Sequence, residues 1–591
     1  MKQWQWIFTL FIFLGGICAQ SHAQFDGATI DDRQRAYIED DGRYWTQHPD
    51  WEPGCWRQCI FAWLENNNHQ NDDKIIEEIN LLLSNGDPND NWQNGWMVQS
   101  RPAQVTLLRI LLDYSHVLGE IAPDLINKIK SHYHRSIEQG ELFHANPNGK
   151  ARGHAAMYLY AEHVEPDIEV IYPYNWDEND IFPQFSYDGR KYINGGKYRA
   201  LELSRDWIQY TFDFWVSERA RNQEFASVNY TKIFIDALAL LYDFSQDQTI
   251  KRKAKMMLDF LLLESVLNYS ANHWGGPHKR MYLQTYWDGY DAFYWQFFWG
   301  LHRSTNDKMP VADVYVTTYR PSPVIQDIGN LSDESDNYFH INRFSNLAFN
   351  IADKGSYCFV TKNYNLGTGF NWQLNILSED GSGAYKGKPF MLWINNKPYS
   401  NPNDPFSPPP ENSEYYDGGD DGYQYRNAMF VIPGGKPYLH ISVGNNSFDE
   451  ITMEDDWQFY REGKVAVAIK IHSTNAALEV ATIGVDYGSF GEFKSVIKTN
   501  ARLELDRFTS SKAFIITSNT VDGQYPFKRL ECEDNQGNEI VQWENQVMTV
   551  RKHGMIVVYN FNNWQYDEDP SSWDTIPPDP PQGVDVSNGK K

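Results

Sequence analysis

The chain is short of cysteine, of positive charge and of long apolar runs. Five of its 591 residues are Cys, and beyond Cys18 in the first apolar stretch these are Cys55, Cys59, Cys358 and Cys532. Apart from the first two they are far apart, so no disulfide framework holds the chain. Cys55 and Cys59 could share a helix face, yet no second Cys or His pair completes a zinc site. Buried free thiols or one incidental bridge are the expectation. Lys and Arg total 52 against 78 Asp and Glu, a formal net charge of -26. Such a surface repels phosphate backbones and anionic lipid, which argues against nucleic-acid and peripheral-membrane roles. Past Ile17 no run of about 18 apolar residues occurs, so no membrane insertion is expected. A Walker loop, a dinucleotide fingerprint after a strand and a Gly-x-Ser-x-Gly elbow are all lacking, leaving nucleotide, nicotinamide and serine-hydrolase chemistry without support.

What is present begins with Met-Lys, an apolar stretch from Trp6 to Ile17, and Ser21-His22-Ala23. This is the layout of a secretory signal with a small-residue cleavage site, so residues 1–23 are expected to be removed. Ile17 stands where a lipoprotein anchor at Cys18 would need Gly or Ala. Export follows, to the periplasm in the first instance and to the medium as the alternative. Twenty-one Trp, 36 Tyr and 33 Phe make 15 % of the chain aromatic. Large cores account for many of them; the sharper reading is that rings and acid amides line a groove, against which the C–H faces of sugars pack.

The apolar period changes near residue 310. Before it the repeats are helical, at 102–112, 124–139, 154–164, 204–220, 226–244, 250–268 and 290–302. Helices of this length joined by loops pack as antiparallel neighbours, which suggests a bundle or a ring of helical hairpins. Beyond 310 come short alternating runs: Val314 to Val316, Leu347 to Ile351, Tyr357 to Val360, Val465 to Ile471, Ala513 to Thr517 and Met555 to Tyr559. They predict a large antiparallel sandwich over 311–565. Residues 566–591, rich in Pro, Asp and Ser, read as a disordered tail.

Two polar clusters interrupt the helical half. The first, Glu224-Phe-Ala-Ser-Val-Asn229-Tyr230, directly precedes an amphipathic helix. The second is His273-Trp274-Gly-Gly-Pro-His278-Lys279-Arg280-Met-Tyr282, a loop with a glycine pair and several groups able to bind or move protons.

With these residues in place, the chain resembles the polysaccharide lyases built from an incomplete helical toroid followed by an antiparallel β-sandwich, the heparinase II/III and alginate-lyase type. The fold class this implies is multidomain α+β, with a toroid over 24–310 and a sandwich after it. In that family an Asn, often followed by His, sits on a toroid helix, and a catalytic Tyr follows some fifty residues later on a loop. Asn229 and Tyr282 match those positions, whereas Tyr230 stands where His is usual. The Ser-Val-Asn-Tyr motif with the downstream Gly-Gly-Pro-His-Lys-Arg-Met-Tyr also resembles a branch of lyase-like proteins from marine polysaccharide degraders, associated with ulvan lyases and an oligosaccharide dehydratase.

Elimination explains why such residues are needed. Removing the C5 proton of a uronate builds enolate charge beside the carboxylate, which Asn229 and Arg280 could neutralise. One Tyr can serve as base and then acid; for anti elimination, or for loss of water, His278 with Tyr282 or Tyr230 is a pair. A tyrosinate base needs positive charge nearby, and His278, Lys279 and Arg280 surround Tyr282 in sequence. The catalytic candidates are therefore Asn229, Tyr230, His278 and Tyr282. Candidates for binding an anionic poly- or oligosaccharide are Arg280, Lys279, His154, Glu224 and Trp274.

Each of these has a plainer alternative. Asn229 and Tyr230 could cap and pack a helix, His278 and Arg280 could pair with surface carboxylates, and His154 could be a core or capping residue. His340, at the start of the sandwich half, is a weaker candidate for the same cleft. No cofactor is expected. Asp417-Gly-Gly-Asp420-Asp421-Gly lacks the oxygen spacing of a calcium loop and reads as a turn, with a structural divalent cation left open. A glycoside hydrolase using two carboxylates, for which Glu224, Asp288 and Asp291 are available, and a non-catalytic glycan-binding protein are the competing readings.

Overall fold

The computed structural model describes residues 29–39, 57–84, 103–140, 147–172, 184–216, 228–270, 273–274, 297–299, 312–330, 337–346, 351–370, 390–394, 421–432, 448–472, 475–517 and 530–568. The helical half comprises α1 (Ile30–Glu39), α2 (Arg57–Asn66), α3 (Asp72–Ser84), α4 (Ala103–Asp113), α5 (Ser115–Ile121), α6 (Pro123–Glu138), α7 (Pro147–His163), α8 (Ala200–Val216), α9 (Val228–Phe244), α10 (Gln248–Val266) and α11 (Pro323–Gly329). Pro123 opens α6 where a missing N–H costs nothing, and Asp247 caps α10 by accepting from the Thr249 amide at 2.8 Å. Among the described residues no helix is long and apolar enough to cross a membrane.

Between α7 and α8 lie four short strands, β1 (Glu169–Ile171), β2 (Gln184–Tyr187), β3 (Arg190–Ile193) and β4 (Lys197–Arg199), paired as β1 with β4 and β2 with β3. The β2–β3 turn has positive φ at both Asp188 and Gly189, the type I′ geometry that matches strand twist. Arg190 and the Tyr192 hydroxyl both reach the buried Asp206, anchoring this hairpin on α8.

The second half contains β7 (Tyr338–Asn346), β8 (Ile351–Val360), β9 (Tyr364–Phe370), β10 (Phe390–Ile394), β11 (Asp421–Tyr425), β12 (Ala428–Ile432), β13 (Glu450–Glu454), β14 (Trp457–Glu462), β15 (Val465–His472), β16 (Asn475–Thr482), β17 (Arg502–Leu503), β18 (Arg507–Thr509), β19 (Ile515–Thr517), β20 (Leu530–Asp534), β21 (Glu539–Glu544), β22 (Val547–Lys552), β23 (Met555–Asn560) and β24 (Gln565–Asp567), with β5 (Tyr269–Ser270) and β6 (His273–Trp274) preceding them. A nine-stranded sheet runs β10-β9-β8-β7-β20-β21-β22-β23-β24, and a six-stranded sheet runs β11-β12-β16-β15-β14-β13; their pairings are antiparallel.

Period-2 alternation builds a layered molecule. Phe339, Tyr357 and Phe359 of the nine-stranded sheet meet Val465, Val467 and Ile469 of the six-stranded sheet in one core. Their neighbours Tyr338, Cys358 and Val360 point the other way, into a core continuous with the helices. Ala466, Ala468, Ala477 and Ala481 line the outer face of the six-stranded sheet, where small side chains admit α12 (Phe490–Asn500) through Phe490, Phe493 and Ile497.

Several expectations need correction. Val314 to Val316, read as a strand, lies in a 3₁₀ helix (Ala312–Val316) buried against the helical half; the apolar alternation of three residues does not discriminate a strand from a buried turn of helix. Tyr566 and Asp567, assigned to the tail, belong to β24. Helices α1 to α3, the β1–β4 insertion and α12 were not anticipated. Of the 290–302 stretch, 297–299 is helical. Residues 1–23, the rest of 290–302 and the tail from 569 lie outside the described residues. Cys358 and Cys532 are buried free thiols, Cys59 is buried, and Cys55 lies outside the described residues.

Candidate functional site

Helices α9 and α10 form a hairpin, joined by Ser245-Gln246-Asp247 and packed along each other. At 1.5 Å per residue, Asn229 lies roughly 22 Å along α9 from that turn and Val266 roughly 27 Å along α10. The start of α9 and the end of α10 are therefore at the same end of the hairpin. Asn229 and Tyr230 occupy the first turn of α9. The chain leaving α10 at this same end forms β5 and β6, where Tyr269 pairs with Trp274 and Ser270 with His273. Two clusters some fifty residues apart in sequence thus begin on one pole of a helical hairpin.

The end of α10 is held firmly. Leu267 donates its amide to the Leu263 carbonyl at 3.1 Å, and the buried Asn268 side chain turns back to the Glu264 carbonyl at 2.7 Å, satisfying carbonyls that a helix terminus leaves open. β5 then packs against β9 of the nine-stranded sheet. The second cluster accordingly starts where the helical half meets the sandwich.

Helix α7 forms a further wall. From Ala151 to Ala161 every residue is buried, including Arg152 and His154. Arg152 pairs with Asp236 of α9, and further along the Tyr158 hydroxyl lies 3.3 Å from the Ser245 hydroxyl, so α7 and α9 run parallel. The Asn229 position stands two turns before Asp236 on the same helical stripe. His154 stacks on Trp207 of α8, with ring centroids 4.0 Å apart and planes at 7°. Trp207 Nε1 and Thr211 Oγ1, one turn apart on α8 and buried, have no hydrogen-bond partner among the described residues.

Of the nominated residues, His154 is therefore placed in a packed interior beside Trp207. Asn229, Tyr230 and Trp274 are placed by backbone alone. Glu224, His278, Lys279, Arg280 and Tyr282 lie outside the described residues, as do Asp288, Asp291, Asp417 and Asp420. The His340 position pairs with Cys358 on one side and Cys532 on the other, both of which are buried in the core shared with the helices. Arg152, Asp236 and Trp207 were not singled out from sequence; an Arg inside an otherwise apolar helical run was the available signal. Among the described residues no group of three or more His, Cys, Asp or Glu could hold a metal ion.

No protein-family model and no curated protein matches the chain. A crystal structure of heparinase III is similar to it with 9% sequence identity and a TM-score of 0.32, covering 84% of this chain and 84% of that one. A superposition this loose does not establish a common fold.

Proposed function

We propose that this protein is a carbohydrate-active eliminase, a carbon–oxygen lyase acting on uronic-acid-containing, anionic poly- or oligosaccharides of the ulvan type after export to the periplasm. In this reading residues 24–310 form an incomplete toroid that carries the chemistry, and the sandwich of 311–565 completes the cleft. The observation that supports it most is the shared pole of α9 and α10, where Asn229 and Tyr230 begin one helix and the other ends in the β5–β6 hairpin beside β9, a few residues before His278, Lys279, Arg280 and Tyr282 in sequence.

In the proposed reaction Asn229 and Arg280 neutralise the uronate carboxylate as charge develops on it. Tyr282, held as tyrosinate by the neighbouring cations, removes the C5 proton. The electron pair of that C–H bond becomes the C4–C5 double bond as the C4–O bond breaks, and the departing oxygen takes a proton from Tyr282 or from His278. If the departing oxygen belongs to the next sugar the product is a shorter chain; if it is a hydroxyl the product has lost one water. Lys279, Glu224, Trp274 and His154 are assigned to substrate binding, and no step calls for a cofactor.

Purified residues 24–591 incubated with a panel of uronate polymers and their lyase-derived oligosaccharides, followed by ultraviolet absorbance and mass spectrometry, test this. An unsaturated-uronate band is expected, with smaller fragments for a lyase or loss of one water without shortening for a dehydratase. New reducing ends without the band would establish a hydrolase, and binding without turnover a glycan-binding protein.

A further inference from the structure

The helical half meets the nine-stranded sheet along α10, and two lysines are buried in that contact, Lys253 and Lys255. Each ends on an aspartate. Lys253 Nζ lies 3.1 Å from Asp213 of α8, and Lys255 Nζ lies 2.6 Å from Asp259 one turn along α10. Each aspartate also accepts a hydrogen bond from an aromatic residue of the sandwich half. Trp564 Nε1 donates to Asp213 at 2.7 Å, and the Tyr559 hydroxyl donates to Asp259 at 2.8 Å. The ammonium groups sit over rings from the same β23–β24 hairpin, Lys253 4.7 Å from the centroid of Trp564 in its turn and Lys255 5.5 Å from that of Tyr566 on β24. The Tyr319 hydroxyl, 2.6 Å from Asp259, and Ser322, 3.0 Å from it, complete the second group.

Buried ion pairs are an uneconomical route to stability, because desolvation offsets most of the attraction and apolar residues of similar volume do as well. What they supply is a single register. An apolar helix can slide or rotate against a sheet through several nearly equivalent packings, whereas an ammonium, a carboxylate and a directed N–H or O–H meet in one. Two such groups, built alike on α10, fix both its rotation and its height. The end of α10 passes directly into the β5–β6 hairpin.

We propose that Tyr559 and Trp564 are positioning residues: by clamping Asp259 and Asp213 they set the register of α10 against the nine-stranded sheet, and so hold the β5–β6 hairpin in place beside β9. As a statement about the reaction this rests on the eliminase reading above; as a statement about the hairpin it does not.

The test uses the full chain with Tyr559→Phe, Trp564→Phe and the two combined, each of which preserves a ring. Amide hydrogen exchange is measured across Tyr269–Trp274 and, as an internal reference, across Phe490–Asn500 in the outer layer. The expected result is exchange at least tenfold faster in Tyr269–Trp274 for the double variant, with Phe490–Asn500 within twofold. Unchanged exchange in the hairpin, or an equal rise in both segments, overturns the proposal. If the double variant does not fold, the single variants decide by the same comparison. On an active substrate, kcat is expected to fall at least tenfold with KM within threefold; a loss carried by KM alone counts against positioning. Should no substrate be turned over, the eliminase reading fails while the exchange result still decides the clamp.

Discussion

His154 and Trp207 stack face to face, 4.0 Å between centroids, joining α7 to α8 in the interior of the helical half. Removing the His154 ring leaves a void beside an indole that cannot follow it. His154→Ala is expected to lower unfolding free energy by about 2–4 kcal/mol in urea titration, while His154→Phe, which keeps a flat ring, recovers most of it. If His154 also binds substrate, the Phe variant will be stable yet show a raised KM.

Asn229→Ala and Tyr282→Phe are each expected to reduce elimination by roughly 100-fold or more, the usual effect of removing a group that meets transition-state charge. Circular dichroism and thermal midpoint should stay near the parent values. Full turnover in both variants would sink the assignment of this pole as the active site.

Alkaline stability follows from buried tyrosines. Burial raises the hydroxyls of Tyr37, Tyr315, Tyr319, Tyr364 and Tyr559 well above their ordinary value, and Asp259 reinforces the effect on Tyr319 and Tyr559. Above pH ~10 the unfolded chain loses these protons and the folded one keeps them, so the stability present below that pH declines as pH rises. Tyrosinate absorbance during a titration from pH 9 to 12 should show a class that ionises only as the protein unfolds. Smooth titration of all 36 tyrosines in the folded protein would contradict this.

Acid acts through His132 of α6, whose pKa burial pushes down to about 4. As pH falls from ~6.5 toward 4 the unfolded state takes up a proton that the folded state refuses, and stability of the order of 2 kcal/mol is lost. His134, raised chiefly by its hydrogen bond to Glu165, works in the opposite direction, but it is partly open to solvent and its effect is small. His132→Gln is expected to flatten the decline in urea midpoints between pH 7 and 4.5.

Gly329 ends α11 where a Cβ would collide with Trp299 Nε1, in a ring held by its 2.9 Å hydrogen bond to the Gln326 carbonyl. Gly329→Ala is expected to cost about 1–3 kcal/mol in thermal or urea unfolding. Combining it with Trp299→Ala should cost less than the sum of the two changes; strict additivity would show that the contact is not the cause.

The local pattern was legible where one period dominates a segment. The helical repeats at 124–139, 226–244 and 250–268 correspond to α6, α9 and α10 within a few residues, and Val465 to Ile471 and Met555 to Tyr559 to β15 and β23. Helix α12 was also readable, since Ser489 caps it by accepting from the Glu492 amide and Glu492 turns back to the Gly488 amide. It was missed because the surrounding strands set the expectation.

Two things only the tertiary structure decided. Alternation in Tyr338-Phe339 and Tyr357-Cys358-Phe359-Val360 shows that residues face opposite ways, but not that one face meets a second sheet and the other meets helices, because burial on both sides looks the same in sequence. Likewise nothing in the run Lys251-Arg252-Lys253-Ala254-Lys255 signals that Lys253 and Lys255 are buried. Beyond Asp259 on the same helix, their burial depends on Asp213, Tyr559 and Trp564, which only folding brings to α10 from up to 311 residues away. The sequence determined which segments could be helix or strand, through periodicity and caps; partners separated this far in the chain carry no local signal, so the meeting of the two halves at α10 was decided by packing alone.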